Sequence, residues 1–216
     1  MQKPQAILFD LDGTLLDSVV HFTAILNELL IDAQKPAVSM DQVRYWVSGG
    51  VIAMIQGAFG DDLSLQDQLD LKQHFLRLYD EQLSTVTPYC FQHVLHVLTE
   101  LTAQGIALGL VTNKHQRFAE KLLDQTDFKS LLTCMVFGDT LAVSKPSPEP
   151  LYLACQRLEV VPPQTWFVGD SLVDMQAAKA AGCVAVLARY GYVDHDWQNW
   201  PNHAVLQQLV DLLALY

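Results

Sequence analysis

Positive charge is scarce in this chain of 216 residues, which has 13 lysines and arginines against 24 acidic residues and a net charge of −11. A surface with this charge repels phosphate backbones and anionic lipids, so we expect neither a nucleic acid nor a membrane as a partner. Charged residues make up only 17% of the chain, and half of all residues are hydrophobic. This composition excludes a disordered chain and predicts a globular protein with a substantial core.

Long apolar runs, repeats and paired cysteines are also missing. No apolar run approaches the ~18 residues of a membrane span, and residues 1–4 lead into a strand pattern, not a signal sequence. The cysteines are far apart and form no C-x-x-C pair, so we expect free core thiols and a location in the reducing cytoplasm. They are Cys90, Cys134, Cys155 and Cys183.

The hydrophobic pattern divides the chain into two kinds of structure. A buried strand is predicted at residues 5–10, and helical periodicity then fills residues 18–85. After residue 85, a helix is predicted at residues 91–104, and further helices then alternate with strands at 106–113, 134–138, 165–169 and 184–188. This alternation is typical of parallel βαβ units. We therefore predict an α/β fold: a Rossmann-like three-layer core with a parallel sheet (residues 1–17 and 86–216) and an inserted all-helical cap domain (residues 18–85).

Polar residues follow several of the predicted strands at the point where each strand ends. Asp10 and Asp12 follow the first strand, Thr112 and Asn113 end the second, and Asp170 ends the fourth. In sheets of this class, ligands bind outside the carboxyl ends of the strands. The sequence therefore predicts one polar site along that edge.

The segment D-L-D-G-T-L-L-D at residues 10–17 is the most specific motif. A calcium EF-hand loop needs glycine at its sixth position, whereas Gly13 is fourth, so that alternative fails. The D-x-D-G-T pattern after a strand resembles the first motif of the haloacid dehalogenase-like superfamily. Thr112, Lys145 in "SKPSPEPL", and Asp170 with Asp174 in "VGDSLVDMQAAKAAG" resemble its second, third and fourth motifs. The resemblance spans the whole chain and is closest to bacterial phosphoglycolate phosphatases.

This resemblance implies a catalytic mechanism. Asp10 would be the nucleophile that forms an aspartyl-phosphate, and Asp12 would be the general acid and then the base. A Mg²⁺ ion would be held by the Asp10 carboxylate, the backbone carbonyl of Asp12 and the Asp170 carboxylate. Asp174, one helical turn after Asp170, would hold a metal-bound water.

The resemblance also implies the substrate contacts. Thr112, Asn113 and Lys145 would hold the phosphate oxygens. In the cap, Ser48, Gly49 and Gly50 resemble a substrate-specificity loop, although an ordinary turn between helices explains them nearly as well.

We therefore expect a Mg²⁺-dependent phosphatase for a small phosphorylated metabolite, with 2-phosphoglycolate as the best single substrate. The alternatives are a sugar-phosphate or nucleotide phosphatase, a β-phosphoglucomutase-like mutase, and a non-catalytic phosphate-binding module. Residues 18–85 contain only Lys35, Arg44, Lys72 and Arg77 to hold a second phosphate, which disfavours the mutase. The oligomeric state is expected to be a monomer or a homodimer.

Overall fold

The computed structural model describes residues 1–83, 87–194 and 196–216. It divides into a core unit, Met1–Asp17 with Cys90–Tyr216, and a helical unit, Ser18–Tyr89. The predicted domain junction at residues 85 and 86 lies outside the described residues. Across the described ranges, none of the helices combines the length and the apolar character needed to cross a membrane.

A six-stranded parallel sheet forms the centre of the core unit. Its strands are β1 (Ala6–Phe9), β2 (Ala107–Val111), β3 (Cys134–Val136), β4 (Thr165–Gly169), β5 (Val184–Ala188) and β6 (Ala204–Leu206). Their order is β3-β2-β1-β4-β5-β6, and each neighbouring pair is parallel. The direction of winding reverses at β1, which lies between β2 and β4, so the carboxyl ends of these three strands meet where such sheets bind ligands.

Eight α-helices accompany the sheet in the described chain. The helical unit contains α1 (Val19–Asp32), α2 (Met40–Trp46), α3 (Gly50–Phe59) and α4 (Leu65–Gln82). The core unit contains α5 (Val94–Ala103), α6 (Gln116–Leu123), α7 (Glu149–Arg157) and α8 (Leu172–Ala181). Together with the parallel sheet, they confirm the predicted α/β class.

Both faces of the sheet are buried, which explains why its strands are almost continuously apolar. Leu8 of β1 pairs in register with Phe167 of β4, and both belong to a core cluster with Leu151 of α7 and Met175 of α8. The neighbouring β4 side chain points to the opposite face, where the Trp166 ring contacts the Tyr216 ring edge-on at 5.6 Å between centroids. A sheet buried on both faces supports polar groups only at its strand ends.

The structure corrects three details of the sequence prediction. The hydrophobic pattern does not predict β6, because this strand has only three residues and only Leu206 among them is buried. The helix expected over 91–104 begins at Val94, since His93 has a left-handed backbone conformation with φ of +66°. Cys90, expected in the core, is exposed, whereas the other three thiols are buried.

The helical unit has an aromatic core of its own. The Phe22 ring of α1 lies 5.2 Å from the Tyr79 ring and 6.0 Å from the Phe75 ring of α4, measured between centroids. Gly57 of α3 allows close helix packing, because a β-carbon there would lie 2.3 Å from the Trp46 ring. These contacts pack α1 against α4 and α3 against α2.

Candidate active site

The sheet topology brings the predicted site residues of three strands to one place. Asp10 directly follows β1, and its backbone N–H donates to the Val168 carbonyl of β4 at 2.9 Å. Thr112 directly follows β2, and its N–H donates to the Val136 carbonyl of β3 at 3.0 Å. Asp170 directly follows β4 and is 2% exposed. The backbone hydrogen bonds between strands thus continue past the ends of β1 and β2 and fix the backbone of Asp10 and Thr112.

Lys145 lies at the centre of this group, with a side chain only 2% exposed. Its ammonium donates to Oδ1 of Asp10 at 2.9 Å, to Oδ1 of Asp174 at 2.6 Å and to the Val111 carbonyl at 2.9 Å. Burial alone lowers the pKa of Lys145, but the charges of Asp10 and Asp174 outweigh it and raise the pKa above its usual range. The lysine is therefore a permanent cation inside the site.

Asp10, Asp170 and Asp174 form a compact carboxylate group, with one oxygen of each within 4.8 Å of the others. Burial raises the pKa of Asp10 to about 6, although Lys145 acts in the opposite direction. Burial and the charges of Asp174 and Asp10 also raise the pKa of Asp170 well above its ordinary value. The folded protein thus concentrates more negative charge here than one lysine neutralises.

The donors around Asp170 test whether a metal ion fits this group. Thr14 Oγ1 donates to Oδ1 of Asp170 at 3.0 Å, and the backbone N–H of Tyr192 donates to Oδ2 at 2.8 Å. Both donors are neutral, so they orient the carboxylate without balancing its charge. A buried carboxylate is stable when it is paired with a charge or bound to a metal. The three aspartates therefore fit a cation with oxygen ligands.

Asp174 has a second task at the start of α8. Its Oδ2 accepts hydrogen bonds from the Ser171 N–H at 3.0 Å and the Ser171 hydroxyl at 2.6 Å, which completes a capping box. This cap fixes the carboxylate at the helix N-terminus while Oδ1 binds Lys145. The role predicted for Asp174, holding a metal-bound water, stays a prediction.

The D-x-D-G-T loop needs a glycine for two reasons. Gly13 has a φ of +86°, which side chains rarely allow, and a β-carbon at this position would lie 2.1 Å from Oδ2 of Asp170. The backbone N–H groups of Leu15 and Leu16 both donate to the Leu11 carbonyl at 2.9 Å, which closes the loop. Gly13 therefore lets the first and fourth motifs contact each other.

Thr112 and Asn113 differ in what their side chains do. The buried Thr112 hydroxyl accepts a bond from the Lys114 N–H at 3.2 Å. The Asn113 side chain donates to the Lys145 carbonyl at 2.9 Å and accepts from the Lys145 N–H at 3.0 Å. The Asn113 side-chain amide thus holds the backbone of Lys145, and its predicted contact with phosphate stays a prediction.

Asp12 is paired with a lysine that sequence reasoning missed. The Lys114 ammonium lies 3.0 Å from Oδ1 and 2.8 Å from Oδ2 of Asp12, and its side chain is 6% exposed. Its position directly after Thr112 and Asn113, in a chain poor in basic residues, is the one feature of the sequence that could have drawn attention to it.

The segment "YGY" at residues 190–192 also contacts the site residues, although no role is predicted for it from the sequence. The Tyr190 hydroxyl donates to the Thr14 carbonyl at 2.9 Å, and the Tyr192 hydroxyl donates to Asp17 at 2.9 Å. Burial raises the pKa of both tyrosines, so they act as neutral donors. Tyr190 therefore binds the last residue of the D-x-D-G-T loop, and Tyr192 binds Asp17 three residues later, in addition to orienting Asp170.

Ser48, Gly49 and Gly50 lie in the helical unit, where a short 3₁₀ helix (Val47–Gly49) leads into α3. All three residues are exposed, and Gly50 has a φ of +77°. Their predicted part in substrate recognition stays a prediction.

Comparisons with known proteins identify a consistent set of relatives. A family model described as haloacid dehalogenase-like hydrolase matches residues 7–188. The N-acetylmuramic acid 6-phosphate phosphatase of Pseudomonas aeruginosa is 37% identical over 96% of this chain and 90% of its own length. The phosphoglycolate phosphatase of Pseudomonas putida is 37% identical over 88% of this chain and 71% of its own length.

One solved structure extends the comparison to the fold. A crystal structure described as a predicted phosphoglycolate phosphatase from Haemophilus somnus matches with a TM-score of 0.86 at 31% identity. The match covers 99% of this chain and 98% of the other.

Proposed function

Because this chain belongs to the haloacid dehalogenase-like hydrolase family, we propose that it is a Mg²⁺-dependent phosphatase that hydrolyses a small phosphate monoester at Asp10. The observation that carries the proposal is the arrangement around Lys145. This buried cation binds Asp10 and Asp174, while the donors to Asp170 in the described part of the chain are both neutral. Such a group is suited to binding a cation and a phosphate together.

In the first half-reaction, the carboxylate of Asp10 attacks phosphorus. Lys145 holds Oδ1 of Asp10, and within the described chain no hydrogen bond occupies Oδ2. With a pKa of about 6, the carboxylate is mostly ionised at neutral pH. The new bond from Asp10 to phosphorus forms as the ester bond breaks, and Asp12 gives its proton to the departing alkoxide oxygen.

In the second half-reaction, Asp12 takes a proton from water. The resulting hydroxide oxygen attacks phosphorus of the aspartyl-phosphate, the bond to Asp10 breaks, and inorganic phosphate leaves. The proton that Asp12 takes from water replaces the one given to the alkoxide, and Asp10 is again a free carboxylate. One side chain thus serves as acid and then as base.

We propose that Mg²⁺ is held by the carboxylates of Asp10 and Asp170 and by the backbone carbonyl of Asp12. Oxygen ligands of this kind suit a hard cation that keeps several waters. When bound, the ion neutralises the repulsion between the carboxylates and the phosphate. We propose that Thr112 and Lys145 then contact the phosphate oxygens.

For the substrate, we propose a phosphate monoester of a molecule that also carries a carboxylate. The two relatives at 37% identity are named for N-acetylmuramic acid 6-phosphate and for phosphoglycolate, and both compounds are carboxylic acids. 2-Phosphoglycolate remains a candidate from the sequence prediction. N-acetylmuramic acid 6-phosphate is the second, supported by a match over nearly the full length of both chains.

The test is a kinetic panel of matched esters with and without Mg²⁺. N-acetylmuramic acid 6-phosphate is compared with N-acetylglucosamine 6-phosphate, which lacks the carboxylate, and 2-phosphoglycolate is compared with ethyl phosphate. We expect Mg²⁺-dependent hydrolysis and a higher kcat/KM for the acid in at least one pair. Asp10→Asn should be inactive, whereas the surface variant Asp124→Asn should match the wild type.

Three results would contradict the proposal. A wild type that hydrolyses none of these esters would support the alternative of a non-catalytic phosphate-binding module. Full activity in excess chelator would show that the reaction needs no metal ion. Equal kcat/KM values within each pair, or a preference for sugar or nucleotide phosphates without a carboxylate, would refute the substrate class while leaving the chemistry intact.

A further inference from the structure

The ion pair between Lys114 and Asp12 is unusual for its burial. The two residues are 102 positions apart in the chain, and their side chains are 6% and 21% exposed. Both carboxylate oxygens of Asp12 lie within hydrogen-bond distance of the same ammonium, at 3.0 and 2.8 Å. Because removing a lysine from water carries a large desolvation penalty, a nearly buried ammonium needs a close anionic partner.

The backbone of Lys114 is anchored on both sides. Its N–H donates to the Thr112 hydroxyl at 3.2 Å, and its carbonyl accepts from the Gly138 N–H at 2.9 Å. Gly138 cannot be replaced without movement, because a β-carbon there would lie 2.1 Å from the Asn113 carbonyl oxygen. The Lys114 side chain therefore extends toward Asp12 from a backbone that is held in place beside Thr112.

Two lysines bind three of the four aspartates of the site. Lys145 binds Asp10 and Asp174, whereas Lys114 binds Asp12. Among the described residues, the group that could hold a metal contains Asp10, Asp170 and Asp174 but not the carboxylate of Asp12. Lys114 thus holds the Asp12 carboxylate outside this group.

We propose that Lys114 is a positioning residue, which holds the carboxylate of Asp12 apart from the metal-binding aspartates in the orientation needed for proton exchange with the leaving group. This inference rests on the proposed function, since it assigns Lys114 to the acid–base residue of that reaction. The inference predicts that replacing Lys114 lowers kcat, and that this effect disappears when Asp12 is also replaced.

The test compares Lys114→Met with Lys129→Met, which removes the same charge from an exposed lysine–aspartate pair in the same unit. We expect Lys114→Met to lower kcat about 10- to 100-fold with little change in KM, because a small misplacement of a catalytic group has effects of this size. The loss should be smaller for p-nitrophenyl phosphate in single-turnover phosphorylation, since its leaving group needs no proton. Lys129→Met should behave as the wild type.

Two further variants separate positioning from other roles. Lys114→Arg should recover part of kcat, because a guanidinium pairs with both oxygens of a carboxylate. Asp12→Asn with Lys114→Met should be no slower than Asp12→Asn alone, since a residue that acts through Asp12 has nothing left to position. Should Lys114→Met fail to fold by circular dichroism, Lys114→Gln, which keeps a polar end group, takes its place.

Specific outcomes would overturn the inference. One is a double variant in which the kcat losses of the two single variants multiply. Another is a loss in Lys114→Met that is equal for substrates with good and poor leaving groups. A third is a kcat of Lys114→Met within twofold of the wild type. In each case the wild type would still hydrolyse esters and Asp10→Asn would still be inactive, so the proposed function would stand. Failure of the proposed function itself would appear in the wild type.

Discussion

The positive charge of Lys145 allows Asp10 and Asp174 to share a space that excludes water. Its ammonium contacts both carboxylates and the Val111 carbonyl, and the side chain is only 2% exposed. Breaking a buried ion pair by removing one partner is strongly destabilising, because it leaves the other charge buried and unpaired. Lys145 is therefore expected to contribute to stability as well as to phosphate binding.

Lys145→Met should lower the free energy of unfolding by about 3 kcal/mol or more in the presence of a chelator. Added Mg²⁺ should restore part of this loss, because a cation bound only to the folded state stabilises it. Urea denaturation with and without Mg²⁺ measures both effects. Lys129→Met is the control, since its ion pair is exposed and should contribute less than about 1 kcal/mol. Similar small losses in both variants would contradict the assignment.

The raised pKa of Asp10 predicts how the metal-free protein responds to pH. Its ordinary value is about 3.9, and burial raises the folded-state pKa to about 6. The folded state therefore binds the proton more tightly than the unfolded state, so the contribution of Asp10 to stability is complete below pH 4. It is lost as the pH rises from about 4 to about 6.

Asp10→Asn should remove this dependence, because an amide does not titrate. Relative to the wild type in chelator, the variant should become more stable as the pH rises from 4 to 7, by on the order of 3 kcal/mol for a shift of two pKa units. Urea titrations at several pH values give the difference. A constant difference across this range would show that Asp10 titrates as it does in an unfolded chain.

The loop between β5 and β6 acts as a clamp on the loop after β1. A β-carbon on Gly191 would lie 2.1 Å from the Gly13 carbonyl oxygen and 2.5 Å from Cβ of Asp170. The backbone N–H of Tyr192 binds Asp170, and the Tyr192 hydroxyl binds Asp17. Close backbone contact thus orients Asp170, and the tyrosine hydroxyl adds a separate anchor.

Gly191→Ala and Tyr192→Phe should therefore have different effects. The added methyl group must displace the D-x-D-G-T loop or Asp170, so Gly191→Ala should lower kcat at least about tenfold and weaken the apparent affinity for Mg²⁺. Tyr192→Phe keeps the backbone N–H and should lose only about 1 kcal/mol of stability, with a modest effect on kcat. Steady-state kinetics and Mg²⁺ titration test the pair. Wild-type kinetics for Gly191→Ala would show that close contact at Gly191 does not position Asp170 or the D-x-D-G-T loop.

At the level of the whole chain, the charged groups of the site all belong to the core unit. Asp10, Asp12, Lys114, Lys145, Asp170 and Asp174 lie within Met1–Asp17 and Cys90–Tyr216. The helical unit contains Ser48, Gly49 and Gly50, which are predicted to contact substrate. We therefore propose that the core unit carries out the chemistry and that the helical unit sets the preference among substrates.

Replacing residues 19–84 by a short Gly/Ser bridge should keep Mg²⁺ binding while removing the preference among substrates. The kcat/KM for the preferred acid should fall far more than that for p-nitrophenyl phosphate, whose hydrolysis depends on the core groups alone. Circular dichroism must first show that the shortened chain is folded. A folded core unit that discriminates between substrates as well as the full chain would contradict this assignment.

The α/β class, the polar residues at the strand ends and the four motifs could be predicted from the sequence, because they depend on local periodicity and on short stretches of chain. The sequence did not predict β6, whose three residues are too few and too exposed to produce a pattern. Nor did it reveal that Asn113 holds the Lys145 backbone or that Lys114 binds Asp12. These contacts join positions 32 and 102 residues apart. These contacts arise only in the folded chain, because β2 packs beside β1, which brings Lys114 to Asp12, and beside β3, which brings Asn113 to the segment that carries Lys145.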